Sequence, residues 1–200
     1  IAPMLSDILG ETIIVHSEQC TTFPGGQCVV VLRSAKKFTV ETGVSHAAKG
    51  GGLVSGDSFT TMDLGIGKYA VAISDGMGNG ERAHLESTET LSLLQKFLMS
   101  GIEEKIAIKS VNSVLSLRTT DEIFSTLDLA MIDLQDAKAK FLKVCSIPSF
   151  IKRGEKIIKI ESSSLPMGII PEFEVDVVSE DLKAGDLLIM MSDGVFEGPT

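Results

Sequence analysis

Cysteine is scarce in this chain. Cys20, Cys28 and Cys145 are the only three in 200 residues, too few and too scattered for a disulfide framework or a structural zinc site. Their scarcity fits a reducing compartment, and the cytoplasm is the expected location. Long apolar runs are missing too. No stretch could span a bilayer, and Ile1 follows no charged signal-peptide region. Basic charge is in short supply, with 18 Lys and Arg against 27 Asp and Glu and a formal net charge of -9. Such a surface repels nucleic acid and anionic lipid, and no basic cluster offsets it. Solenoid-type repeats are absent. What is present is 44% hydrophobic and 22% charged residues, enough apolar material for a real core.

Residues 1–36 differ in character from the remainder of the chain. "TIIVHSEQC" and "QCVVVLRSAKK" predict short strands around a Phe23-Pro24-Gly25-Gly26 turn, and the segment is expected to be a linker or the tail of an upstream regulatory domain. From residue 37, "KFTVETGVSHAA" alternates as a strand would and "KGGGLVSGDSF" is a glycine-rich loop. "KYAVAISD" is a nearly unbroken apolar run, as in a strand covered on both faces. The period then turns helical. Leu91, Leu94 and Leu98 recur every three or four residues before a stop at Gly101, and Ile108, Val111 and Leu115 line a second helix. A strand meander comes next through "STLDLAMIDLQ", "AKFLKVCSI" and "SFIKRGEKIIKIE", then "EFEVDVVSE" and "AGDLLIMMSDG". Strand hairpins with two consecutive helices between them predict packed sheets with helices outside.

The chemistry lies in a repeated ending. Asp75 and Asp193 each follow an apolar run, each after a serine and before a glycine, and Asp57 sits in the preceding loop as Gly56-Asp57-Ser58. On adjacent strands of one sheet, Asp75 and Asp193 would emerge at the same edge. Two ionised carboxylates so placed repel unless a proton or a cation lies between them. Hard divalent cations suit such oxygen donors, and the glycine after each Asp lets the backbone turn so that its carbonyl can also face a metal. Any one Asp-Gly is more often a turn; the pairing, with a third Gly-Asp, raises a metal site to a real alternative.

The order Gly56-Asp57-Ser58, Ser74-Asp75-Gly76-Met77-Gly78, Ser192-Asp193-Gly194-Val195 resembles the metal-dependent PPM family of serine/threonine protein phosphatases. "VAISDGMGNGERAHLES" is similar to its bacterial branch that controls sigma factors. The resemblance covers residues 37–200 and implies an α+β fold, an α-β-β-α sandwich of two antiparallel sheets flanked by helices. It also implies two Mn2+ or Mg2+ ions. The Asp matching Asp75 bridges them, the carbonyl matching Gly76 binds one, Asp193 matches a ligand of the other, and Asp57 matches a supporting carboxylate. Two such ions about 4 Å apart activate a water for in-line attack and offset phosphoryl charge, with no covalent intermediate.

The implied substrate and partner is a phosphorylated anti-sigma-factor antagonist whose dephosphorylation activates a sporulation sigma factor. The implied setting is a cytoplasmic domain of a membrane-anchored parent, capable of forming a homodimer. Two departures stand out. The family's last acidic motif does not appear before Thr200, so the domain is expected to lack its C-terminal end and the centre one ligand. Cys145 stands where relatives carry a glycine. Two rival readings remain. "DGMGNG" resembles the Asp-x-Gly-x-Gly box of histidine-kinase-like ATPases, which needs an Asn-bearing helix before it. A non-catalytic switch domain would keep the fold without turnover. His16, His46 and His84 share no ligand spacing, and His84 is the one expected near the site. Met190 and Met191 are expected in the core.

Overall fold

The computed structural model describes residues 1–23, 25–46, 54–65, 67–77, 80–117, 125–161, 167 and 174–196. Residues 49–53 of the glycine-rich loop, Pro24, Gly78 and the four residues from 197 to 200 lie outside them. The chain opens with α1 (Ala2–Leu9), closed by Gly10 in the left-handed region at φ 68°. It continues into an antiparallel hairpin of β1 (Ile13–Cys20) and β2 (Cys28–Ser34), as the sequence predicts. The expected strand at residues 37–48 does not form over its described part. The N–H groups of Lys37 and Phe38 both donate to the Leu134 carbonyl at 3.0 Å, and residues 38–46 then run without a strand partner. Alternation gives a segment two faces, but only a free sheet edge makes it a strand.

The main sheet is antiparallel throughout, ordered β3 (Asp57–Asp63), β4 (Lys68–Asp75), β5 (Leu127–Asp133), β6 (Lys138–Val144) and β9 (Asp176–Asp181). A second sheet is formed by β7 (Ser149–Arg153), β8 (Lys156–Ile160) and β10 (Leu187–Ile189), in the order β10-β7-β8. Gly154, at φ 59°, makes the expected tight turn between β7 and β8. Two helices come after β4. In α2 (Glu81–Met99) the buried side chains include Leu91, Leu94 and Leu98; in α3 (Glu104–Leu117) they include Ala107, Ile108, Val111 and Leu115.

Those helical stripes meet Ala70, Ala72, Leu127, Leu129 and Leu142 from one face of the main sheet. The opposite face contributes Ala130, Ile132 and Phe141, which pack with Ile151 and Ile160 of the second sheet. Helices α2 and α3, the main sheet and the second sheet are thus three layers, α-β-β, of the expected α-β-β-α sandwich. The strand covered on both faces is β5, where six successive residues are buried. In β4 burial alternates, with Ala70, Ala72 and Ser74 enclosed and their neighbours half-exposed. Each fully buried Leu or Ile contributes about 1.5–3 kcal/mol.

A buried polar cluster lies between the sheets. Lys143 on β6 is fully buried and donates to Asp128 of β5 at 2.6 Å and to Ser149 of β7 at 2.9 Å. The Ser149 hydroxyl also bonds Asp128. The triad fastens the turn at which the chain leaves the main sheet for the second one. Within that turn Cys145 takes φ 51°, a left-handed conformation usual for glycine.

Candidate metal centre

Asp57 is the first residue of β3 and Asp75 the last of β4, and the two are register partners. Asp57 is therefore a strand residue held directly opposite Asp75, where the sequence pattern suggests a loop. Asp193 arrives from elsewhere. β10 stops at Ile189, and Asp193 opens the one-turn helix α4 (Asp193–Phe196). It belongs to a segment leaving the second sheet, so the expectation that Asp75 and Asp193 end adjacent strands of one sheet is corrected. Three apolar residues make the strand, and Met190 and Met191, half-buried rather than enclosed, carry the chain onward. The two Ser-Asp-Gly endings still converge, because the sheets are stacked and both segments reach the same end of the stack.

Carboxylate oxygens of Asp57, Asp75 and Asp193 all lie within 4.8 Å of one another. The Ser192 hydroxyl donates to Asp57 Oδ2 at 2.7 Å and ties the two chain segments together. Asp75 is pinned by its backbone. Its N–H donates to Thr126 Oγ1 at 3.2 Å, its carbonyl accepts from the Thr126 N–H at 2.9 Å, and Ser74 Oγ donates to the Thr126 carbonyl at 2.8 Å. Burial, then the charge of Asp57 and a hydrogen bond to it, then the charge of Asp193, push the Asp75 carboxyl up to about 7. Without a cation, the Asp75 carboxyl is about half protonated at neutral pH, and a bound cation would displace that proton. Three carboxylates clustered this tightly form a hard oxygen donor set that fits Mn2+ or Mg2+.

Gly76 is needed here for close approach. It is buried and its φ is not positive, but a Cβ there would fall on the carbonyl of Ala83 in the first turn of α2, with Ala83 Cα at 3.0 Å. Its N–H donates to the Gly56 carbonyl at 3.3 Å, so both glycines flanking the aspartates lie side by side. Helix α2 is further fastened to β3 by Ser58 Oγ, 2.8 Å from Ser87 Oγ and 3.0 Å from Thr88 Oγ1. His84 Nδ1 lies 3.0 Å from the Ser55 carbonyl, and His84 lines a cavity of about 400 Å3 beside Asp57. His46, not expected near the site, lines the same cavity. A wider cleft of about 2080 Å3 contains Asp57, Asp75, Gly76, Ser192 and Asp193. Sequence reasoning misses Ser192 and Thr126. The serine preceding each Asp-Gly is a usable sign for Ser192; nothing in the sequence marks Thr126.

The element before β4 is an antiparallel strand rather than a helix, which counts against the nucleotide-binding reading of the glycine box. Comparison with known families then decides the matter. Residues 65–200 match the family model "Stage II sporulation protein E (SpoIIE)", and residues 1–34 match "SpoIIE, regulatory domain". The chain belongs to the stage II sporulation protein E family. It is 70% identical over 199 residues to stage II sporulation protein E of Priestia megaterium, covering 100% of this chain and 34% of that protein. It is 68% identical to the Bacillus subtilis (strain 168) protein, covering 100% of this chain and 24% of that one. The chain thus spans about a quarter to a third of these SpoIIE relatives. A solved SpoIIE structure from Bacillus subtilis, of the PP2C phosphatase domain with a fragment of the regulatory domain, superposes with a TM-score of 0.82 at 68% identity. It covers 100% of this chain and 59% of that one. The fold is accordingly that of PP2C-type (PPM) phosphatase domains. Among the described residues no helix is long and apolar enough to cross a membrane.

The cysteine expectation is corrected in part. Cys20 and Cys28 are register partners across β1 and β2 and are joined by a disulfide, while Cys145 is an exposed thiol outside it. Spacing along the chain hid a pair that the hairpin places face to face.

Proposed function

We propose that the chain carries the phosphatase centre of a metal-dependent protein serine/threonine phosphatase. The observation that supports this reading most is the meeting of Asp57, Asp75 and Asp193, from three separate segments, within 4.8 Å. Asp75, the Gly76 carbonyl and Asp193 would hold two Mn2+ or Mg2+ ions, and Asp57 would support the set. Bound cations would supply Lewis acidity, lowering the pKa of a water and offsetting charge on the phosphoryl oxygens. The chain's own part is positional. Thr126 fixes the backbone of Asp75, Ser192 orients Asp57, and Gly76 lets α2 sit against the site. This reading gives the cysteines no role: Cys145 lies in the β6–β7 turn and the other two in the N-terminal hairpin.

The substrate in this reading is a phosphorylated anti-sigma-factor antagonist, whose release from its phosphate activates a sporulation sigma factor. Residues 1–36 are the end of an upstream regulatory domain and residues 37–200 belong to the phosphatase domain. The parent is a membrane-anchored protein with this part in the cytoplasm, able to dimerise. The test is Mn2+-dependent dephosphorylation of that phosphoprotein by the full-length protein. Asp75→Ala and Asp193→Ala should each abolish turnover while circular dichroism stays unchanged. Activity retained in either folded variant overturns the assignment, and ATP hydrolysis independent of Mn2+ would favour the nucleotide-binding alternative.

A further inference from the structure

The N-terminal hairpin holds a second cluster of donors, remote in sequence from the aspartates. Glu18 and Cys20 are two residues apart on β1 and so share a face, and Cys28 stands directly across from Cys20. Glu18 Oε1 lies 3.4 Å from Cys20 Sγ and 3.9 Å from Cys28 Sγ, and one donor atom from each of the three residues falls within 4.8 Å of the others. All three residues are exposed.

A disulfide alone does not call for a carboxylate lying over both sulfurs. A carboxylate over two thiolates does suit a tetrahedral zinc site. With Zn–S near 2.3 Å and Zn–O near 2.0 Å, the sulfur-to-oxygen edge of the tetrahedron is about 3.5 Å, close to both separations found here. The sulfur-to-sulfur edge would be about 3.8 Å, within reach of side-chain rotation once the bond is reduced, since the two Cα atoms are 4.0 Å apart. Two thiolates and one carboxylate select a borderline-soft ion over Mg2+ or Mn2+, so this donor set differs in kind from the aspartate cluster.

We propose that Glu18, Cys20 and Cys28, in the dithiol state, bind one Zn2+-class cation with water in the remaining position, and that the disulfide is the oxidised, metal-free state of the same site. Exchange between them balances with a small-molecule disulfide as oxidant. The two thiolates give up one electron each and become the Cys20–Cys28 bond, the small disulfide takes both electrons and leaves as two thiolates, and the cation departs into water. This site stands apart from the phosphatase reading and survives its failure.

The experiment uses the intact chain, reduced and then freed of reductant, titrated with Co2+ as the spectroscopic probe for Zn2+. One equivalent should produce a thiolate-to-cobalt charge-transfer band, a signal that carboxylate sites cannot give. Zn2+ should abolish it by competition. Cys20→Ser and Cys28→Ser should each remove the band, Cys145→Ser should keep it, and Glu18→Gln should weaken binding at least about tenfold. Oxidised glutathione should bleach the band and lower the alkylatable thiol count by two. Absence of the band in the reduced chain, its persistence in Cys28→Ser, or an unchanged affinity in Glu18→Gln would overturn the proposal.

Discussion

Asp57 and Asp75 face each other across the first and second strands of the main sheet, in register, with no residue between them. An antiparallel pair places such partners about 4.5–5.5 Å apart, and here both side chains are carboxylates. Directly opposed like charges destabilise a strand pair. The fold therefore carries a local cost at this end of the sheet that a proton or a cation must offset.

The pH dependence of the metal-free chain stems from that cost. Asp75 is pushed up to about 7 in the folded state, against 3.8 for an ordinary Asp. Below about pH 4 both folded and unfolded forms hold the proton, and the contribution to stability is fully present. As pH rises from about 4 to 7 the unfolded chain releases it first, so that contribution is lost through this window. With chelator present, the melting temperature should rise on acidification from pH 7 to 5, and Asp75→Asn should flatten that response. Mn2+ must displace the same proton, so its affinity should fall as pH drops below 7. Equal pH responses of the wild-type and Asp75→Asn chains, tracked by thermal unfolding, would contradict this account.

Gly76 offers a test of close approach. A methyl group at residue 76 meets the backbone of Ala83, and backbone cannot rotate away as a side chain could. Gly76→Ala should cost about 1–3 kcal/mol in urea unfolding and should weaken Mn2+ binding, because the displaced peptide is the one beside Asp75. An equal substitution at Gly194, where a Cβ meets nothing within 4 Å, should leave stability nearly unchanged and serves as the control.

The parts of the fold legible in the sequence were those with a strong period or a forced turn. β4 spans the apolar run from Lys68 to Asp75, both helices track their leucine and isoleucine spacing, and Gly154 turns where expected. Asp75 and Asp193 are legible because a carboxylate ending an apolar run is unusual, and Asp57 only as a third Gly-Asp beside that pair. What could not be read was pairing. Nothing local to residues 37–46 says that no strand edge is free for them, nothing in β10 says that it joins β7 instead of β4, and eight positions of sequence separate two cysteines that the hairpin brings together. Sheet partnership is a property of the whole chain, and a one-residue pattern carries little of it.

Helix α2 joins the hydrophobic core to the metal centre. Leu94 is fully buried against the main sheet, while Ala83, at the other end of the helix, abuts Gly76 and Ser87 contacts Ser58 beside Asp57. Leu94→Ala should cost about 2–5 kcal/mol. Because the helix is one rigid element, the repacking should also lower Mn2+ affinity, read by calorimetry at a temperature where the variant is folded. An affinity unchanged in the folded variant would show that the helix supports the sheet without reporting to the site.

The Asp128–Lys143–Ser149 triad predicts a different kind of response. Lys143 is fully buried, and burial holds its ammonium below the usual lysine range while Asp128 opposes that shift; burial in turn raises Asp128. The ion pair is stable because each charge answers the other. Lys143→Met leaves the Asp128 carboxylate uncompensated between two sheets and should cost about 3–5 kcal/mol. Removing both charges, as Lys143→Met with Asp128→Leu, should recover most of that loss, since a buried pair replaced by apolar side chains of similar volume is often neutral. Ser149→Ala removes two hydrogen bonds, one with each charged partner, and should cost about 2–3 kcal/mol. Denaturant unfolding of Lys143→Met, Asp128→Leu and the double variant closes the cycle and gives the coupling between the charges. A double variant as unstable as Lys143→Met would mean that the triad holds the sheets together by its hydrogen-bond geometry rather than by charge balance.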